Sequence, residues 1–176
     1  MSTHCITRFV DCDELDHWPP CNAMIGVHLS NKPLKRAEMT YGKARELVCA
    51  WRHHDGNPAV HGDHLKKILT HMHGTDNEYS PSNDDAGCRT AYAIQNLERT
   101  YDVYARLMAA GTHNIGEHFT YVVYFGSHRR IALQVITTRY DIDSGTTSRL
   151  NLYFGPLEWF MPDDVEALAY PPESDE

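Results

Sequence analysis

The segment from His118 to Phe154 constrains the fold most strongly, because its apolar residues recur at every second position. Such a period of two predicts strands that place one apolar face against a core. The turn "GSHR" and the loop "DIDSGTT" divide the segment into three strands. A three-stranded antiparallel meander is therefore predicted. Its inward residues are Phe119, Tyr121, Val123, Phe125, Ile131, Leu133, Val135, Leu150, Leu152 and Phe154.

Upstream of the meander, residues 3–10 and 23–30 are predicted to be strands, and three segments show helical spacing. The first stripe comprises Leu34, Ala37, Tyr41, Ala44, Val48 and Trp51, before "DGNP". The second comprises Leu65, Ile68, Leu69 and Met72, and ends at Gly74. The third begins at a cap on Ser82 or Asn83 and ends at Gly111.

Together these elements predict an α+β fold. The sheet is expected to be mostly antiparallel, built from two N-terminal strands and the C-terminal meander, with about three helices packed on one face. The predicted organisation is one domain over residues 1–170, followed by an acidic C-terminal tail over residues 171–176.

The charge of the chain restricts its partners. The formal net charge is −8, and residues 157–176 contain seven acidic residues and no Lys or Arg. Non-specific binding to nucleic acid is therefore not expected, since it requires clustered basic residues. A partner with a basic surface would complement this end of the chain. The alternative is that the tail is simply solvated and disordered.

The sequence shows neither a membrane-spanning segment nor a secretory signal, and a cytoplasmic location is therefore predicted. No apolar run approaches the roughly 20 residues that span a bilayer. The first residues lack the basic and apolar regions of a secretory signal. Five cysteines without an export signal predict reduced thiols.

The first functional hypothesis is a small acidic binding protein of the inhibitor, immunity or accessory-factor type, without catalysis and with no cofactor. The outward face of the meander is predicted to carry aromatic and arginine side chains, which often dominate protein interfaces. The alternative is that this face is only solvated, or covered by other parts of the chain. The predicted partner-binding residues are Tyr124, Arg130, Arg149, Asn151 and Tyr153.

The alternative hypothesis is a phosphoesterase or nuclease. His28 with Ser30, and His118 with Thr120, each place an imidazole and a hydroxyl two residues apart on a predicted strand. Two such pairs on neighbouring strands resemble the site of two-histidine phosphoesterases. The resemblance implies that the histidines act as general base and acid while the hydroxyls hold the phosphate. The first pair departs from the family pattern because Asn31 follows Ser30.

Six of the twelve histidines lie in residues 52–74. The stretch "HHDGNP" is similar to the opening of HNH nuclease motifs, although no central Asn stands at the expected interval, the closing His pair is misspaced, and predicted helices rather than a hairpin surround it. A turn and the start of a helix could bring together a zinc or manganese site from His54, Asp55, His61 and His64. The alternative is a polar helix end that binds no metal.

Overall fold

One mixed sheet forms the centre of the structure. The computed structural model describes residues 3–12, 27–29, 44–74, 85–112, 115–126, 130–141 and 145–171. The strands in these ranges are β1 (Cys5–Asp11), β2 (Val27–Leu29), β3 (Arg45–Arg52), β4 (Arg106–Met108), β5 (Phe119–Phe125), β6 (Ile131–Asp141) and β7 (Thr146–Pro156). Their order in the sheet is β2-β7-β6-β5-β1-β3-β4.

The pairing of the strands confirms the α+β class and the predicted meander. Strands β5, β6 and β7 pair antiparallel in sequence order. β1 pairs parallel with β5 on one side and antiparallel with β3 on the other. The sheet is therefore larger than predicted, because β3 and β4 extend it beyond β1, and it is mixed because β1 and β5 run parallel.

Helices follow β3, precede β4 and follow β7. They are α1 (Asp63–Gly74), α2 (Ala86–Tyr101) and α3 (Pro162–Ala169), with a π-helical turn at Pro58–Gly62 and a 3-10 turn at Leu157–Trp159. The predicted second helix is confirmed as α1. The third is confirmed as α2 with different ends: Asp85 caps its start, and Asp102 ends it in the left-handed conformation. Within the described ranges, no helix has the length and apolarity needed to cross a membrane.

The predicted helix over residues 34–51 is wrong at its C-terminal end. Residues 45–52 form β3, whose backbone pairs with β1 and β4. Val48 and Trp51 fit a helical stripe, but valine and tryptophan are also residue types that are enriched in strands. The hydrogen bonds that residues 45–52 make with β1 and β4, both distant in sequence, stabilise the strand instead of the helix. Residues 34–43 of the predicted helix lie outside the described ranges.

The three helices pack on the face of the sheet that carries Phe119, Tyr121, Val123 and Phe125, here called the helix-side face. Leu65 and Leu69 of α1, Leu97 of α2 and Val165 of α3 join these residues in one core. The prediction that helices cover one face is confirmed by this core. The opposite face carries Thr120, Val122 and Tyr124 and is called the second face.

The second face is buried, which corrects the expectation that it is open to solvent. Val10, Val122 and Tyr124 are completely inaccessible, and with Phe154 they belong to a second apolar cluster. A register shift beside Val135 places two consecutive β7 residues, Leu152 and Tyr153, in the helix-side core. Phe154 therefore lies on the opposite face from the one that simple alternation predicted.

Candidate functional site

The second face contains buried polar and charged side chains that pair with one another. Arg8 donates from Nη1 to both carboxylate oxygens of Glu46, at 3.0 and 3.2 Å. Arg149 lies 3.8 Å from the Glu117 carboxylate. Burial of these two ion pairs removes their solvation, so each charge depends on its partner for stability.

A second group of neutral side chains crosses three strands on the same face. The Tyr124 hydroxyl donates to Gln134 Oε1 at 2.9 Å, and Gln134 Nε2 donates to Asn151 Oδ1 at 3.1 Å. All three side chains are buried. Buried polar groups need such partners, and these hydrogen bonds supply them within the sheet.

Four of the five predicted partner-binding residues are thus buried. Tyr124, Arg149 and Asn151 lie on the second face, as the alternation predicted, but that face is covered. Tyr153 packs on the other side of the sheet against Phe160, with ring centroids 5.1 Å apart. Of the five, only Arg130 is exposed. Four of the five side chains are therefore not accessible at the surface of this structure.

A different set of residues surrounds the buried imidazole of His61, which is 2% exposed. Arg52 Nη1 lies 3.1 Å from His61 Nδ1, and Thr7 Oγ1 lies 2.7 Å from Nε2. The Tyr121 ring meets the imidazole edge-on at 5.0 Å between centroids. His61 therefore ties the π-helical turn to β1, β3 and β5 at once.

The partners of His61 determine which nitrogen carries its hydrogen. A guanidinium can only donate, so Nδ1 accepts from Arg52 and the neutral ring donates from Nε2 to Thr7. Burial, followed by the charges of Arg52 and His64, lowers the pKa of His61 well below its usual range. A general base would instead offer a lone pair to the hydroxyl. Thr7 is also 1% exposed, so this geometry supports a structural role.

The predicted metal ligands do not converge. Both ring nitrogens of His61 already have partners, and His64 stacks on Tyr101 with centroids 3.9 Å apart. His54 is exposed, and the Asp55 carboxylate lies 3.7 Å from Arg52 Nη2. Across the ranges that the structure describes, no three His, Cys, Asp or Glu side chains are arranged to hold a metal ion.

The predicted two-histidine site is also not assembled on neighbouring strands. β2, which contains His28, is separated from β5 by β6 and β7. At about 4.8 Å between strands, the two backbones are roughly 14 Å apart. His118 precedes β5 and is exposed, whereas Thr120 is 4% exposed on the second face. Ser30 and the side chain of His28 lie outside what the structure describes.

His118 instead belongs to a group of rings at one corner of the sheet, the histidine corner, formed by His4, Trp51, His53, His54 and His118. His4 stacks on His53 at 4.4 Å between centroids, and its edge meets His118 at 5.5 Å. His54 contacts His53 at 4.3 Å. Desolvation, and then the nearby His4 and His54, lower the pKa of His53.

In the part of the chain that the structure describes, exposed apolar side chains are concentrated near the C-terminal end. Four of the seven large apolar side chains that are exposed in the described ranges fall within residues 159–170. They are Trp159 (47% exposed), Met161 (55%), Leu168 (40%) and Tyr170 (56%), and we call them the C-terminal surface. Glu158, Asp163 and Asp164 are exposed beside them in sequence. Aromatic and apolar side chains among carboxylates are suited to contact a basic surface.

The segment that carries the C-terminal surface is firmly attached to the rest of the protein. Phe160 is completely buried. The Glu166 carboxylate accepts hydrogen bonds from Asn57 Nδ2 at 2.9 Å and from the Ala59 backbone at 2.6 Å. Arg139 donates to the Ala169 carbonyl at 2.8 Å. An ordered surface loses less conformational entropy when a partner binds.

Comparison with known proteins gives no relative from which to infer a function. No protein family matches the chain, and neither a curated protein nor a solved structure is significantly similar to it.

The sequence patterns above do not predict the C-terminal surface as a structured element, because they identify only the charge of this segment and not α3. A signal was present: Pro162 begins the segment, Asp163 and Asp164 follow in the first turn, and Val165 and Ala169 are four residues apart. Thr7, Arg52 and Tyr121 had no comparable signal, because only the fold brings them to His61.

Proposed function

We propose that this protein acts by docking on another protein through the C-terminal surface. The observation that carries the proposal is the concentration of exposed Trp159, Met161, Leu168 and Tyr170 in a segment with acidic residues and no basic ones. Isolated exposed apolar residues are ordinary, whereas several within one short ordered segment are typical of an interaction site.

The chemistry of the segment indicates the kind of partner. Residues 157–176 contain seven carboxylates and no Lys or Arg, so a basic protein surface complements them. Met161 directly precedes α3 and Leu168 lies in its last turn, so exposed apolar side chains are present at both ends of this short helix. Apolar pockets in the partner, rimmed by Lys or Arg, would accommodate both features.

The test compares two leucines in the protein that undergo the same substitution. Leu168 belongs to the C-terminal surface, while Leu107 is 57% exposed on the edge strand β4. A photo-crosslinking residue placed at Trp159 identifies partners in extracts of the source cells, and the partner is then purified. Calorimetry measures its affinity for the parent, for Leu168→Ala and for Leu107→Ala.

We expect Leu168→Ala to weaken binding by about 1–3 kcal/mol, or roughly 5- to 150-fold, and Leu107→Ala to have little effect. Raising the salt concentration should weaken the complex, because exposed opposite charges are screened. Equal affinities for the parent and Leu168→Ala would refute the proposal. A larger loss with Leu107→Ala would assign docking to the β4 edge instead.

A further inference from the structure

The strand β4 forms one edge of the sheet, and this edge is accessible. Among the strands that the structure describes, β4 pairs only with β3, in the antiparallel sense, so that Leu107 lies opposite Ala50. Residues 104–111 are all exposed or half-buried. An edge strand presents backbone N–H and C=O groups that a further strand can bind.

The side chains along the β4 edge are mostly apolar. Tyr104 is 77% exposed and Leu107 is 57% exposed. Residues 103–112 contain no proline and a single charged residue, Arg106, whereas 23% of the whole chain is charged. Charged side chains and proline are the usual means by which proteins prevent a sheet edge from pairing. The sequence of this edge therefore offers little protection against a further strand.

The single charge of the segment is directed away from the outer side of β4. The Arg106 guanidinium lies over the ring of Trp51, 5.9 Å from its centre. Trp51 belongs to β3, on the inner side of β4. The guanidinium is therefore held above the protein's own sheet and leaves the outer side of the strand uncharged.

These features fit a second copy of the chain better than the basic partner proposed above. Residues 103–112 contain no carboxylate that could attract Lys or Arg. Two copies of β4 can pair antiparallel about a two-fold axis, the commonest symmetry of soluble oligomers. With the axis at Leu107, the two leucines lie opposite each other and each Arg106 lies opposite Met108 of the other copy. An axis at Arg106 would instead place two like charges directly opposite, which is unfavourable.

We propose that two copies of this protein pair through β4, with Leu107 at the two-fold axis, so that the sheet continues from one copy into the other. Because β4 is only three residues long, the contact is small and the dimer is weak, with a Kd between about 10 µM and 1 mM. The nearly uncharged edge limits repulsion between chains that each carry a net charge of −8. This dimer is separate from the docking function and uses different residues.

The experiment measures the sedimentation velocity of the full-length protein at concentrations from about 5 µM to 0.5 mM, which cover the expected Kd. The test variant is Leu107→Lys, which places two ammonium groups opposite each other at the axis. The control is Leu168→Lys, because it makes the same change of charge at an exposed leucine of the C-terminal surface. Far-UV circular dichroism checks that both variants are folded.

We expect the parent and Leu168→Lys to dimerise with Kd values that agree within about twofold, and the Kd of Leu107→Lys to be about tenfold higher. No association of the parent at about 0.5 mM would overturn the proposal. So would an effect of Leu107→Lys no larger than that of Leu168→Lys. Added salt should strengthen the dimer, since it screens the repulsion between two acidic chains. A dimer that weakens with salt would indicate a contact of the acidic C-terminal surface instead, and would overturn the proposal.

If Leu107→Lys does not fold, a milder substitution decides the question. The exposed Cys88 is first replaced by serine, and Leu107→Cys is then compared with Leu168→Cys under mild oxidation. Opposite residues of paired strands place their Cβ atoms about 4.5–5.5 Å apart, close to the separation that a disulfide requires. We expect Leu107→Cys to form a disulfide between the two copies of residue 107 at least about tenfold faster than Leu168→Cys forms one. Equal rates would overturn the proposal and would leave the docking function untouched, since Leu107 does not belong to the C-terminal surface.

Discussion

Acidification should destabilise this protein in a way that can be traced to His61. Its imidazole is buried and neutral, and both ring nitrogens form hydrogen bonds, one with Arg52 and one with Thr7. Because the pKa is lowered in the folded state, the unfolded chain binds the proton more readily. The stability that His61 contributes is therefore complete above its unfolded value of about 6.5 and is lost as the pH falls below it.

The magnitude follows from linkage. If His61 stays neutral in the folded protein at pH 5.0, lowering the pH from 7.5 to 5.0 costs about 2 kcal/mol of unfolding free energy at this residue alone. Urea denaturation at the two pH values measures the total change. His61→Gln should reduce that change by about 2 kcal/mol, while its exposed counterpart His71→Gln should leave it intact.

His61→Gln is also expected to lower stability at pH 7.5 by about 1–3 kcal/mol, because one amide group cannot occupy the positions of both ring nitrogens and so cannot serve Thr7 and Arg52 together. A parent and His61→Gln variant with the same pH dependence would refute the argument. So would ¹⁵N shifts showing a charged His61 ring in the folded protein at pH 5.0, and this measurement does not require the variant to fold.

Two further substitutions test the packing of β1 against its neighbours. Gly56→Ala should lower the free energy of unfolding by about 1–3 kcal/mol in urea denaturation. The reason is that a Cβ at this position would lie 2.8 Å from Cys5 Cβ and from backbone atoms that cannot move aside easily. Unchanged stability would show that the turn can shift. Glu46→Gln should lower the free energy of unfolding by about 3 kcal/mol, because it keeps the shape of the side chain but leaves the buried Arg8 charge without the Glu46 counter-ion. A loss below about 1 kcal/mol would mean that Arg8 reaches solvent.

Local sequence patterns were sufficient to predict the helices and strands whose buried residues recur at regular intervals. The period of two from Phe119 onward predicted β5, β6 and β7, and the spacing of Leu65, Ile68, Leu69 and Met72 predicted α1. In these segments one face meets a continuous core, so burial imposes its period directly on the residues.

The candidate site depended on contacts that no local pattern contains. His61 meets Thr7 and Tyr121 only because β1 pairs with β5, across more than one hundred residues of chain. The same pairing brings His4 to His118. Neither pairing could be inferred from the periodicity of either strand.

The sequence by itself determined the α+β class, the meander and the acidic end of the chain, because alternation and charge are local properties. Only the tertiary structure decided that residues 45–52 form a strand, that the second face is buried and that Tyr153 lies with the helix-side core. A strand gains its hydrogen bonds from partners far away in sequence, and a one-residue register shift reverses which side chains face the core.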